Sequence, residues 1–374
     1  MDGGRARGHG NSLIAVAREA TTEETSMKIR SSASLLAAIV LLAAPSARCA
    51  GYVDVLDAPA QTSALASQRL LNGAALAGNR VVVVGQRGHI LYSDDRGRTW
   101  TQASVPVSAD LLAVHFPTAS KGWAVGHSGV VLATSDAGKT WVKQLDGRSA
   151  AQAMIDYYEQ QGADAATRSE AKRFADEGPD KPFLDVWFDD DRVGYVVGAF
   201  NLVFRTDDGG AHWVPWFDRT ENPKRYHLYA VRRVGGDVYA AGEQGIVLKL
   251  DATAQRFRAV RTPYDGTYFG ITGKPGSVLV FGLRGNVYRS ADGGASWQKV
   301  DTGIPVGVTG ATLTTDGRIV LVSQAGHTLV SSDSAATFAP VASDPPIPAA
   351  AVAAVGPNTL VVAGPRGVQT SRLP

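Results

Sequence analysis

The chain has 374 residues, 44% of them hydrophobic and 19% charged, with 41 Gly against only 3 Met, a composition that favours many short strands and tight turns over long helices. Six of the 37 basic and four of the 35 acidic residues lie within residues 1–50, which leaves 31 of each sign in the remainder. A formally neutral body lacks the diffuse positive charge that drives nucleic-acid binding, so a nucleic-acid partner is excluded as an expectation.

From Met27 the sequence reads MKIRSSASLLAAIVLLAAPSARCAG, a basic start at Lys28 and Arg30, an apolar run over residues 35–44 and then small residues. This is the layout of a secretory signal peptide, and its apolar run is too short to span a bilayer comfortably. The expectation is an over-long gene start over residues 1–26, a signal peptide over 27–50, and an exported, periplasmic domain over 51–374 with no membrane span. N-terminal sequencing of the exported protein checks it. Cys49 is the single cysteine. Arg48 stands where a lipobox carries a small residue, so no lipid anchor is expected. Cleavage after Ala50 would leave no disulfide or thiolate chemistry.

Beyond residue 51 two elements recur. The first is an Asp-containing turn: SDDRGRTW (93–100), TSDAGKTW (134–141), TDDGGAHW (206–213) and SADGGASW (290–297), with weaker copies SSDSAATF (331–338) and LKLDATAQRF ending at Phe257. The second is a short apolar strand ending in a Gly-rich turn, with first residues Gly85, Gly126, Gly198, Gly242, Gly282, Ser323 and Gly364. The six intervals between successive turns are 40 to 44 residues long except for one of 72. A period near 40 with several strands per unit predicts an all-β, seven-bladed β-propeller of four-stranded blades. In the second unit LLAVHF, GWAVG, VVLATS and TWVKQL are the four strands, and FLDVWF, LYAVRR and YFGITG open the next three units.

The 72-residue interval holds an insertion over residues 147–182, rich in Ala, Glu, Gln, Arg and Lys, with apolar Ala150, Met154, Tyr157 and Tyr158. It reads as two short helices between blades two and three, either a surface loop or a docking element. The last unit ends at GVQTSRLP without an outer strand, and GYVDVLDAPA (51–60) has the character to supply it. The ring is therefore expected to close by pairing residues 52–56 with the strand near 368–371, which would remove exposed edges.

In the Asp turn, the carboxylate can accept bonds from backbone N–H groups, Gly supplies a positive φ, and Trp opens the outer strand. Repetition round a ring argues for structure and against catalysis. Asp95, Gly97, Trp100, Asp136, Gly138, Trp141, Asp208, Gly210, Trp213, Asp292, Gly294, Trp297 and Asp333 are assigned to holding blades. Four strands per blade put these turns on one face, and the Gly turns and blade-to-blade links on the other. On that second face Arg87, His127, Phe200, Gln244, Arg284, Gln324 and Arg366 stand at or beside one turn position, with Arg219, Lys224, Arg225 and Arg261 in the links. The candidate partner-binding residues are Arg87, His127, Arg225, Gln244, Arg284, Gln324 and Arg366. The chain has no HExxH, no paired Cys ligands, no P-loop and no nucleophile elbow with a triad, so no metal, cofactor or catalytic residue is assigned.

The Asp turns resemble the Asp-box, or BNR, repeats of sialidases and several exported propellers. More closely, LLAVHFPTASKGWAVGHSGVVLATSDAGKTW (111–141) and FLDVWFDDDRVGYVVGAFNLVFRTDDGGAHW (183–213) are similar to the repeats of the photosystem II stability and assembly factor family. That resemblance covers most of residues 52–371. It implies a non-enzymatic, exported propeller that binds a protein partner and assists assembly of a membrane complex, with arginines of one face in contact with that partner; a monomer is expected besides. Arg87, Arg284 and Arg366 are the arginines placed for this role. The alternative is an exported glycosidase of the sialidase type, against which stand seven units in place of six and the absence of a FRIP segment.

Overall fold

A computed structural model describes residue 51 and residues 53–342 and 345–374, so the signal-peptide reading and the proposed start at Met27 lie outside the described residues. Seven antiparallel sheets follow one another along the chain, six of four strands and a last one of three. The inner strands are Leu71–Ala77, Leu111–His115, Phe183–Phe188, Leu228–Val234, Tyr268–Lys274, Val308–Leu313 and Ala351–Ala354. Each pairs with the next strand in sequence, as short hairpin connections require. This is the expected seven-bladed propeller.

The second strand of each blade departs from simple alternation. Gly122–Gly126 and Gly194–Gly198 are buried at every position, and Arg80–Gly85 at all but its first. A strand in the middle of a blade is covered on both faces by neighbouring blades, so both sides must be apolar. The resulting cores lie between blades. Trp123 of blade two stacks on Phe188 of blade three with ring centroids 3.5 Å apart, and Trp213 meets Phe188 edge-on at 5.9 Å. Trp141 lies 4% exposed against Phe116, 6.0 Å centroid to centroid.

The Asp turns are built from short-range hydrogen bonds. Asp136 Oδ1 accepts from the backbone N–H of Lys139 and Thr140, each at 3.0 Å, and Oδ2 accepts from Thr140 Oγ1 at 2.7 Å. Thr134 Oγ1 donates to Asp136 Oδ1 at 2.8 Å and accepts from Gly138 N–H at 3.1 Å. Gly138 sits at φ 84°, a left-handed position that disfavours any side chain. The same web surrounds Asp95, Asp292 and Asp333, while in the third blade His212 replaces the Thr hydroxyl, its Nδ1 2.6 Å from Asp208 Oδ2. Trp141 and Trp213 are buried, whereas Trp100 and Trp297 are only partly so.

Ring closure differs from the expectation. Among residues 53–60 none is in a strand, and the outer strand of blade seven, Gly367–Arg372, pairs only with Thr359–Gly364. Asp54 curls the segment into a turn, its Oδ1 accepting from Leu56 N–H at 2.9 Å and its carbonyl from the N–H of Asp57 and Ala58. Leu56 is thereby driven into the core of blades one and two, 2% exposed beside Val105 and Val107. A turn-forming Asp, a single large apolar anchor and Pro59 suit this clip better than a paired strand. The ring closes through side-chain packing, Val81, Val83 and Leu91 of blade one against Val361 and Ala363 of blade seven. Leu56→Ala is expected to destabilise the propeller by about 2–4 kcal/mol, read from the denaturant midpoint at unchanged slope.

The insertion forms two helices, α1 at Gly147–Gln160 and α2 at Ala165–Asp176. Asp146 caps α1, accepting from the N–H of Arg148 and Ser149, while Ser149 Oγ accepts from Asp146 N–H at 3.0 Å, a reciprocal box. Ala150, Met154 and Tyr158 of α1 and Ala171 and Phe174 of α2 are buried in one core with Phe183 and Leu202 of blade three. The helices are thus packed onto the link between blades two and three, on the face of the Gly turns.

Candidate functional site: the Gly-turn face

Five blades turn from second to third strand through the same backbone. The residue before the final turn position is left-handed in each: Arg87 (φ 55°), Ser128 (56°), Phe200 (53°), Gln244 (52°) and Arg284 (57°). The next residue is left-handed too, Gly in four cases and Asn201 in the third blade. A Cβ at Gly88 would lie 2.1 Å from Val107 O, so glycine lets the turn nest against the following link. Asn tolerates this conformation, and Asn201 uses its amide to bond Phe217 O and Thr220 Oγ1 of the next link. The two left-handed residues leave the preceding side chain outside the nest.

All seven residues assigned to partner contact, Arg87, His127, Arg225, Gln244, Arg284, Gln324 and Arg366, are exposed on this face. Their positions are not equivalent, however. Ser128, and not His127, stands in register with Arg87, and in blade six Ala325 holds that register while Gln324 precedes it. Arg366 belongs to a tighter hairpin in which Gly364 pairs directly with Gly367.

The insertion narrows the cationic face. Arg225 is paired with the buried Glu170 of α2, which also holds Arg173. Arg219 donates to Tyr157 Oη at 3.0 Å, and Tyr158 Oη donates to Asp218 Oδ1 at 2.7 Å. These contacts fix α1 and α2 as a wall beside blade three. Among the described residues Arg87, Arg284, Arg366, Arg261 and Lys224 have no carboxylate within 4 Å. Arg225 is thus tied to α2 while its side chain stays 46% exposed.

Sequence reading missed the apolar part of the face. In six blades the inner strand bulges at its second residue, Asn72, Leu112, Leu184, Tyr229, Phe269 and Thr309, and these line the mouth of the central channel. The aromatic ones continue outward as a track. Phe269 meets Tyr229 edge-on at 5.9 Å, Tyr229 lies 6.3 Å from His227, and His227 meets Phe200 at 4.6 Å. Phe200 is 46% exposed and Leu283, in the turn of blade five, is 38% exposed. A signal was present: Leu228-Tyr229 and Tyr268-Phe269 are adjacent apolar pairs that break period-two alternation, as a bulge does.

The channel cavity, about 170 Å³, is lined by an ion pair between the buried Asp185 and the partly exposed Arg232. Asp185 Oδ2 also accepts from Val231 N–H at 2.9 Å, and burial pushes this carboxyl above its usual range despite those donors. His115 stacks on Trp187 at 4.1 Å with Nε2 3.0 Å from Phe188 O. Burial, assisted by the Arg232 charge, lowers it to about 3, so it stays neutral at physiological pH.

Asp boxes engaged within their own turns on one face, and Gly turns around an open channel mouth on the other, define a seven-bladed Asp-box propeller. The family model described as photosynthesis system II assembly factor YCF48 matches residues 97–164 and 164–338, and the chain belongs to that family. The photosystem II assembly lipoprotein Ycf48 of Synechococcus sp. (strain CC9902) is 28% identical over 148 residues, 38% of this chain and 44% of that protein. The match thus spans less than half the length of this curated relative. Among solved structures, YCF48 bound to D1 peptide superposes with a TM-score of 0.60 at 14% identity, over 82% of this chain and 94% of the other. YCF48 from Cyanidioschyzon merolae gives 0.59 at 15% identity over 84% and 98%, and the WD40 propeller domain of Doa1 gives 0.58 at 10% over 84% and 95%. At these identities the structural likeness speaks for the fold.

Proposed function

We propose that this chain is an exported, non-catalytic propeller that holds a segment of a membrane-protein complex on its Gly-turn face during assembly. The observation that carries the reading is the pairing of guanidiniums at Arg87, Arg284 and Arg366, unpaired among the described residues, with a half-buried aromatic track that ends at the exposed Phe200, in a chain of the YCF48 family. Such surfaces combine desolvated aromatic anchors with charged rims. A relative solved with a D1 peptide and a curated relative named as an assembly lipoprotein support a protein partner and export. The signal-like run after Met27 supports export independently.

The test is capture of a membrane complex from solubilised host membranes, identified by mass spectrometry. Arg87→Glu, Arg284→Glu and Arg366→Glu together should abolish capture while the melting temperature stays near that of the parent. Undiminished capture would refute the assignment of this face. Turnover of sialosides or of a glycoside panel by the purified protein would overturn the non-catalytic reading.

A further inference from the structure

We infer that the groove between residues 55–63 and blade one is a carboxylate-recognition subsite for an acidic, extended peptide segment. This inference rests on the partner-binding reading above and gives that partner a chemistry. The groove has a volume of about 740 Å³. One wall is apolar, made by Val55, Ala58 and Pro59, and the other carries Arg69, Arg87 and His89.

Local structure brings the two arginines together. Gln86 N–H donates to Leu70 O at 3.1 Å, which ties the entry of the inner strand, beside Arg69, to the turn that carries Arg87. Arg87 N–H donates to Asp110 Oδ1 at 2.7 Å, so the Asp110 carboxylate is bound to the turn's backbone. Both guanidiniums are exposed, and among the described residues neither has a carboxylate within 4 Å. Asp57, on the same clip, is already taken by Arg148 and Lys143. Among the described residues the two guanidiniums that line the groove thus have no ion-pair partner, with the Asp110 carboxylate beside the turn bound to Arg87 through the backbone alone. A planar fork of this kind matches a carboxylate better than any neutral group.

His89 is the second, independent observation. It is 5% exposed, forms part of the groove wall, and its Nδ1 has no hydrogen-bond partner among the described residues. Buried polar atoms are rarely left unmet, and this one belongs to a ring that forms part of the groove wall beside the two arginines. Burial, together with the Arg87 and Arg69 charges, lowers His89, so the ring adds a polar atom without a third positive charge. The occupant that fits is a chain with a carboxylate for the arginines, polar backbone for the rim and small apolar side chains for Val55, which is 37% exposed. An acidic peptide has all three, whereas a free small carboxylate leaves the apolar wall uncovered.

The experiment compares two fluorescein-labelled nonapeptide pools, degenerate except for a central Leu-Glu-Leu or Leu-Gln-Leu, by fluorescence anisotropy against the full exported chain. The Glu pool should bind at least about ten-fold tighter, a difference of roughly 1.4 kcal/mol. Arg69→Gln with Arg87→Gln should erase that preference at an unchanged melting temperature, and Arg69→Lys with Arg87→Lys should retain part of it. Equal binding of the two pools, no measurable binding of either, or a preference that survives the double Gln variant would each overturn the inference. Arg284→Glu with Arg366→Glu leaves the groove intact. If that variant loses membrane capture while the pools bind alike, the groove is wrong and the partner-binding reading stands.

Discussion

Asp136→Ala is expected to lower the stability of the propeller by about 2–4 kcal/mol, with no new exposed charge to explain the loss. The carboxylate accepts from two backbone N–H groups and two hydroxyls, and alanine leaves the Lys139 and Thr140 N–H groups without their acceptor. Asp136→Asn retains one acceptor oxygen and should lose less. Thermal denaturation at pH 7 measures both. The same turns set an acid limit. Burial pushes Asp136 upward, but the bonds from Thr140, Thr134 and Lys139 outweigh it and hold the carboxyl at about 2. Asp208 and Asp292 also lie at about 2, and the bonds donated by Thr99 and Thr337 hold Asp95 and Asp333 well below the ordinary carboxylate range. A carboxyl depressed in the folded state contributes stability above its unfolded pKa, near 4, and loses that contribution as pH falls through the folded value. The melting temperature should therefore fall steeply between about pH 4 and 2, and Asp136→Asn should show a shallower fall than the parent.

These turns were also what made the fold legible. An Asp, a Gly and a Trp at fixed spacing recur because each blade needs the same local hydrogen bonds, and local chemistry is written in contiguous residues. Ring closure was less legible, because an alternating segment such as 51–60 serves equally as an edge strand or as a clip. The segment forms the clip, which buries Leu56 between blades one and two. The candidate face lay between these cases. Arg87 and Arg284 could be placed by turn register, but Arg219 and Arg225 could not be discounted, since their partners Tyr157 and Glu170 lie 62 and 55 residues away on the insertion. The aromatic track was hidden for a similar reason. Phe200, His227, Tyr229 and Phe269 come from three consecutive blades, and only the bulges align them.

The channel pair offers the sharpest contrast with the Asp boxes. Arg232→Met removes the guanidinium facing Asp185, a carboxylate 4% exposed, and leaves a buried charge whose remaining strong donor is Val231 N–H. Breaking such a pair from one side costs about 3–5 kcal/mol, because the surviving charge has lost its compensation. The pH response should run opposite to that of the Asp boxes. Asp185 already sits above its usual range through burial, and loss of Arg232 raises it further. A carboxyl raised in the folded state is protonated there first, so stability is regained as pH falls through the folded value. His115 moves in the same direction, since the Arg232 charge helps hold it at about 3. The deficit of Arg232→Met relative to the parent should therefore shrink as the pH is lowered from 7, read from denaturant midpoints at each pH. Asp185→Asn with Arg232→Met has no charge left to strand and should recover most of the loss at pH 7. A single variant as stable as the parent at pH 7, or a deficit that widens on acidification, would mean that Asp185 is solvated through the channel and that the pair does not organise its wall.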